Sequence, residues 1–375
     1  MDTTTDSRLR PEAAGEARPG RRGARPRPGG RPGASAAAAL LAVALAATAG
    51  GCDEDRRTSR YEETSQVTLP LGSQTRIVVE NARGTVRLRT SDTTLVRVEA
   101  RKRTAARGQE AARALAGEVR VEVVREGTDL RLVVHYPERI SSSSTSVRVL
   151  GKEMLRRRAD VDLHLAIPRD RPVKVVTKSG DLTCEGSSGP LEFWTTSGDA
   201  RVDAHTGSLV MHSTSGDLSA DLVTGALDFE STSGDLEVAD VGGALAVSTV
   251  SGDVAAERAR GAAAVSTTSG DVNLGSATGR LGVATASGDV DARVEGELQN
   301  ISIETTSGGV SLGLPDPARG RLEVVTASGD IVARIPMTLE QANRRRLVGV
   351  LGPGAAVVSI HTASGDVLVG PAGER

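Results

Sequence analysis

Thr267-Thr268-Ser269-Gly270-Asp271-Val272 is a short polar phrase that the chain repeats, with close copies at 195–200 (TTSGDA), 213–218 (STSGDL), 231–236 (STSGDL), 249–254 (TVSGDV) and 285–290 (TASGDV). Its serine falls at 179, 197, 215, 233, 251, 269 and 287, every step being 18 residues. Further copies begin at 307 (as SGG), 328 and 364, at steps of 20, 21 and 36. A fixed period over this many copies is the mark of a solenoid.

Aligned on that serine, the units sort into columns. Three residues on stand Leu182, Ala200, Leu218, Leu236, Val254, Val272 and Val290, and five on stand Cys184, Val202, Ala220, Val238, Ala256, Leu274 and Ala292. Twelve and fourteen on, further apolar columns run through Leu191, Leu209 and Leu227 and through Phe193, Met211 and Phe229. Sixteen on is a Thr/Ser column from Thr195 to Thr285. Spacing of two within each group is strand periodicity with alternate residues facing in. Each unit therefore holds two short strands and two corners, one at SGD and one at the glycine ten residues on (Gly189, Gly207, Gly225, Gly243, Gly261, Gly279). Two such strands cannot bury a face alone, but stacked units can, each strand pairing with its equivalent about 4.8 Å away. The sequence predicts an all-β fold, a parallel β-solenoid of 18-residue, two-strand rungs, with 177–335 as its regular part.

Stacking would put Asp181, Asp199, Asp217, Asp235, Asp253, Asp271 and Asp289 in one line, with Asp330 and Asp366 further on. The expected role is structural: Gly takes φ > 0 at the corner while Ser and Asp bond nearby amides. The Thr/Ser column is expected to hydrogen-bond along its own stack. A carboxylate accepting an amide gains about 1.5–3 kcal/mol, against about 1 kcal/mol of repulsion between exposed neighbours. Carboxylate oxygens also suit Ca²⁺, but one Asp per rung supplies few ligands and SGG at 307–309 lacks it. Weak cation binding is the minor alternative, and no cofactor or resident metal is expected.

The small, aliphatic columns agree with composition. Aromatics are 1% of the 375 residues, with one Trp, two Tyr and two Phe, so a core of ordinary aromatic content is excluded. With two cysteines a disulfide framework is not expected. The five His (135, 164, 205, 212, 361) form no spaced metal pair, although His212 and Trp194 share an outward column in adjacent rungs. No phosphate loop, dinucleotide fingerprint or zinc spacing occurs, and no nucleic-acid partner is expected.

Residues 1–34 carry eight Arg and precede the apolar run SAAAALLAVALAATA, which is shorter than the roughly 20 residues that span a bilayer. A basic region, a short apolar run and small residues at its end describe a secretory signal. The run closes on Ala49-Gly50-Gly51-Cys52, which resembles a bacterial lipobox, although Ala49 stands where Leu is usual. This predicts a lipoprotein signal region at 1–51, lipid on Cys52, and a charged tether at 52–65.

Residues 66–176 read as a β-rich cap or lead-in, with a helix over 105–116 and a loop at 141–146. Residues 336–375 read as a helical insertion, its helix over 338–347, followed by the final rung. Charge separates along the chain: 53–176 holds 25 Lys/Arg against 18 Asp/Glu, net +7, while 177–335 holds 9 against 23, net −14. The basic part adjoins the expected anchor, where anionic head groups would attract it.

The TxSGDV corners, the VENARGTVRLRT lead-in and the PVKVVTKSGDL join resemble the bacterial toastrack family of β-strand repeat proteins over about residues 70–370. The resemblance implies a right-handed β-solenoid in cell-envelope proteins, some linked to envelope stress, with no catalytic residues to carry over. "Adhesin", a label used in that family, rests on analogy of fold. The expected function is a non-enzymatic, membrane-anchored lipoprotein of the bacterial envelope, adhesin-like or a scaffold for an envelope protein or glycan. A β-helical polysaccharide-active enzyme is the alternative, though aromatic sugar platforms are scarce. Ice binding through the Thr column before Ser is interrupted at Val250 and Ala286.

Overall fold

The eighteen-residue period folds as two parallel sheets facing each other across a thin core. The computed structural model describes residues 58–137, 148–149, 152–153 and 157–373. In each unit the strand before SGD lies in one sheet and the strand after it in the other, as Leu191–Trp194 leads through Ser197-Gly198-Asp199 to Ala200–Asp203. Equivalent strands pair parallel and in register, Leu191 with Leu209 and Phe193 with Met211 in one sheet, Ala200 with Leu218 and Val202 with Ala220 in the other. The sheets have 15 and 14 strands. Three strands of the first (Arg120–Glu126, Thr338–Asn343, Arg346–Gly352) and two of the second (Ser59–Pro70, Leu95–Ala106) stand outside the rungs, which leaves twelve rungs.

All four apolar columns point inward and are buried, and both Phe, 193 and 229, are fully buried in one column with Met211 between them. A fifth inward column, eight residues after the serine, runs through Val223, Val241, Ala259 and Ala277. It lies three residues beyond its inward neighbour, not two, because the chain has begun to turn. The Thr/Ser column also faces inward, buried at Thr177, Thr249, Thr267 and Thr285 and half-buried at Thr195, Ser213 and Ser231, but among the described residues only Thr177 reaches its neighbour, Thr195, at 3.0 Å.

In the regular rungs the glycine of SGD is fixed by crowding rather than by φ, whereas Gly308 and Gly329 in the later copies are at positive φ, +157° and +145°. Gly198, Gly216 and Gly234 are not among the residues at positive φ. A Cβ on Gly216 would stand 2.1 Å from the Gly198 carbonyl oxygen, and one on Gly234 would stand 2.2 Å from that of Gly216. Stacked corners leave room for a hydrogen and nothing larger.

At both ends the stack order departs from the chain order. Asp129–His135 and Arg158–Pro168 form the first rung, Arg76–Arg83 and Val86–Ser91 the second, and Val173–Ser179 with Leu182–Glu185 the third. At the other end the last segment, Val357–Ser364 and Val367–Pro371, inserts between the rung of Ile301–Ser307 and that of Gly320–Ser328. The expected final rung is thus final in sequence and second from the end in space.

The helix expected over 338–347 is a β-hairpin. Thr338–Asn343 pairs antiparallel with Arg346–Gly352, which pairs in turn with Gly320–Ser328. Asn343 closes the turn, its Oδ1 accepting the amides of Arg345 and Arg346 at 2.9 and 2.8 Å. Leu339, Gln341 and Ala342 favour helix, but the open edge of Gly320–Ser328 offers a ladder that a helix would leave unpaired. The other helix forms at Gln109–Glu118 rather than 105–116, because Ala105 and Ala106 continue a strand paired with Arg60 and Ser59. It lays Ala112, Leu115 and Ala116 on the core, and Thr104 donates to the Ala112 carbonyl at 2.7 Å. The segments expected at 1–51 and 141–146 lie outside the described residues, and the tether expected at 52–65 is strand from Ser59 on, because Ser59–Pro70 pairs antiparallel with Leu95–Ala106.

Candidate functional site

The aspartate line is a relay between rungs. The parallel ladder is interrupted where the chain rounds the corner, leaving the Asp amide in need of an acceptor. The Asp one rung below supplies it: Asp181 Oδ1 accepts the Asp199 amide at 3.2 Å, and the same bond recurs from Asp217 to Asp289 at 2.8–3.0 Å. Asp289 serves Gly309 at 2.7 Å, and Asp366 serves Asp330 at 2.8 Å. Gly309 carries no carboxylate to pass on, so the relay breaks there once. Among the described residues no group of three or more His, Cys, Asp and Glu is placed to hold a metal ion.

A side-chain chain inside the core escaped the sequence reading. Cys184, Ser187 and His205 are 1%, 5% and 0% exposed. Ser187 and His205 occupy the fifth inward column in adjacent rungs, whose odd spacing hides it from a two-residue template. Ser187 Oγ lies 2.5 Å from His205 Nδ1, and His205 Nε2 lies 3.0 Å from the Ser208 carbonyl oxygen. A carbonyl only accepts, so Nε2 carries the proton and Ser187 donates to Nδ1. Cys184 Sγ in turn lies 3.3 Å from Ser187 Oγ. Burial pushes the thiol up to about 11 and pushes the imidazole below its ordinary value. A serine beside a histidine is the start of a nucleophilic pair, but a fully buried, neutral ring offers no access for a substrate. Its role is to satisfy polar groups in the core.

This arrangement has a pH signature. The unfolded chain binds a proton on His205 near its ordinary value of 6.5, whereas the buried ring resists it. The contribution is complete above that value and is lost as pH falls below it. Unfolding midpoints measured from pH 7.5 to 5.5 should fall more steeply for the parent chain than for His205→Val, which matches Val223 one rung on; parallel curves would refute it.

Outside the core, Trp194 is 40% exposed. The His212 ring lies 4.0 Å from it, centroid to centroid, and Lys174 Nζ lies 4.5 Å from its centre. His212 Nδ1 is 2.7 Å from Glu230, and Glu192 takes both Lys174 at 3.3 Å and Arg76 at 3.1 Å. Beyond Glu230 the same face becomes a shallow trough of about 590 Å³ floored by Ala246, Ser248, Ala264, Ser266, Gly282 and Ala284. On the opposite sheet Asp240, nearly buried, is clamped by Arg260 through both oxygens and by Arg258 at 3.1 Å. Those hydrogen bonds, Arg260 first, hold its carboxyl at about 2. Cys52 lies outside the described residues.

Stacked two-strand rungs with inward aliphatic columns and glycine corners define a parallel β-solenoid. The sequence matches the Toastrack family DUF4097 over residues 74–266 and 259–370, and the chain belongs to that family. A search of curated proteins finds no match. Similar solved structures include a candidate cell-adhesion protein from Clostridium sporogenes ATCC 15579, at 9% identity and TM-score 0.20, covering 84% of this chain and 100% of that one. A candidate lipid-binding protein from Parabacteroides distasonis ATCC 8503 is similar at 13% identity and TM-score 0.34, covering 81% and 96%. A candidate adhesin from Bacteroides fragilis NCTC 9343 is similar at 10% identity and TM-score 0.27, covering 82% and 96%. At these scores they carry no argument about what this chain binds.

Proposed function

We propose that the chain is a non-enzymatic, lipid-anchored protein of the bacterial cell envelope whose sheet faces are interaction surfaces for an envelope protein or glycan. The observation that carries this reading is what the repeat is used for. Its inward columns, glycines and aspartates build the stack, and only the outward columns vary freely from rung to rung, from the Trp194–His212 pair to the Ala/Ser floor. Such a surface is extended and rigid, as solenoid binding faces are. The lipobox-like Ala49–Cys52 at the end of the apolar run supports export and acylation. Two acyl chains or more make such anchoring stable.

Expression in a bacterial host should give a mature chain beginning at Cys52, with a mass increment for acyl groups and partition into detergent. Cys52→Ala should abolish both. Crosslinking in intact cells should recover envelope components. An intact N-terminus or an unacylated, cytosolic product would overturn the proposal.

A further inference from the structure

We propose that the arginine-lined cleft at the N-terminal pole docks onto the phosphate-bearing head groups of an anionic membrane surface. The cleft, about 620 Å³, is lined by Arg60, Arg101, Arg103 and Arg158, with Glu62 and Asp160 as its acids. It forms where Ser59–Pro70, Leu95–Ala106 and Arg158–Pro168 lie side by side, so that residues 60, 105 and 158 share one level of the sheet. Arg101 is bonded to Glu62, Arg103 to Asp162 at 2.8 Å, and Arg158 to Asp160 at 2.6 Å. Each of these carboxylates occupies part of a guanidinium that has five N–H donors, and the remaining donors suit phosphate oxygens. Arg60 is exposed and makes no salt bridge among the described residues. By register, Arg87 and Arg97 extend the same face, both exposed.

Two further observations select a membrane over a soluble anion. Thr58, in the cleft's own lining, is six residues from Cys52. Six extended residues span at most about 22 Å, so an acylated Cys52 would hold Thr58 within that distance of the bilayer. The charge gradient has the matching sign. The segment that supplies the strands of this pole carries +7, while the segment that supplies the strands of the shaft carries −14. An anionic surface attracts the first and repels the second, which sets the stack pole-down. The location rests on the proposed anchoring, but the cleft's affinity does not, so the two can fail separately.

The test uses the chain from residue 52 onward, which contains every described strand and helix, with Cys52→Ala so that no lipid contributes. Flotation with vesicles of phosphatidylcholine alone, or mixed with phosphatidylglycerol, reads binding directly. Binding should require phosphatidylglycerol and weaken as salt is raised. Arg60→Glu should weaken it about tenfold without moving the unfolding midpoint, and Arg280→Glu, on the shaft, should leave it intact. If Arg60→Glu misfolds, Arg60→Gln gives the same comparison. Equal binding to both vesicles, equal losses for Arg60 and Arg280, or preference for an acidic polysaccharide such as alginate over the vesicles would overturn the proposal. Acylation of Cys52 is scored separately by mass, so a chain that binds vesicles yet is never acylated would refute the anchor and leave the cleft standing.

Discussion

Cutting Phe229 back to alanine destabilises the fold by about 3–5 kcal/mol, the range for a fully buried aromatic. Phe229 is 0% exposed and stacks in register on Met211 below and Val247 above. The core is only two strands thick, and its other columns hold nothing larger than leucine, isoleucine or methionine. Neighbours cannot lean into the void, because each is fixed by ladder bonds to the rungs on either side. Denaturant unfolding of the parent and the variant measures the loss. A shift equivalent to under 1 kcal/mol would mean that the rungs collapse onto one another more freely than the ladder geometry allows.

Gly234→Ala is the second large effect, and its contrast with Gly282→Ala makes it specific. A Cβ at residue 234 meets the Gly216 carbonyl oxygen at 2.2 Å, and that atom is backbone held in the stack. Relief requires two rungs to separate at the corner, weakening the neighbouring Asp relay. The expected cost is about 3 kcal/mol, the upper end for overpacking. At residue 282 the nearest atom to a new Cβ is 4.0 Å away, so alanine there is expected to be neutral or slightly stabilising, since glycine weakens a strand interior. Thermal unfolding of the two variants side by side decides the matter; equal midpoints would show that corner crowding does not select glycine.

The middle of the fold was readable because a column of eighteen-residue spacing has one economical explanation. Leu182, Leu218 and Leu236 cannot all be buried unless the rungs stack in register. The ends were not readable for the same reason. Thr-Ala-Ser-Gly-Asp at 362–366 fits against any rung equally well, so periodicity does not say which neighbour it takes. The segment at 338–347 has helix-forming residues, and only the unpaired edge of Gly320–Ser328 makes it a hairpin. His205 was passed over because its column breaks the alternation at the turn. The arginine cleft was half visible as a segment charge, but its geometry joins residues 60 and 158 through an antiparallel register that local patterns do not encode.

The out-of-order rungs bear on how such a chain can change length. A duplication of the first rung-forming segment in sequence, Arg76–Arg83 with Val86–Ser91, or of the last, Val357–Ser364 with Val367–Pro371, would have to be threaded between strands already zipped together. A gain or loss of one whole eighteen-residue lap between Leu191 and Ser287 merely slides the halves along a common axis. The protein is thus built like a bracketed shelf: the brackets hold its ends, and a whole lap is gained or lost most easily from within.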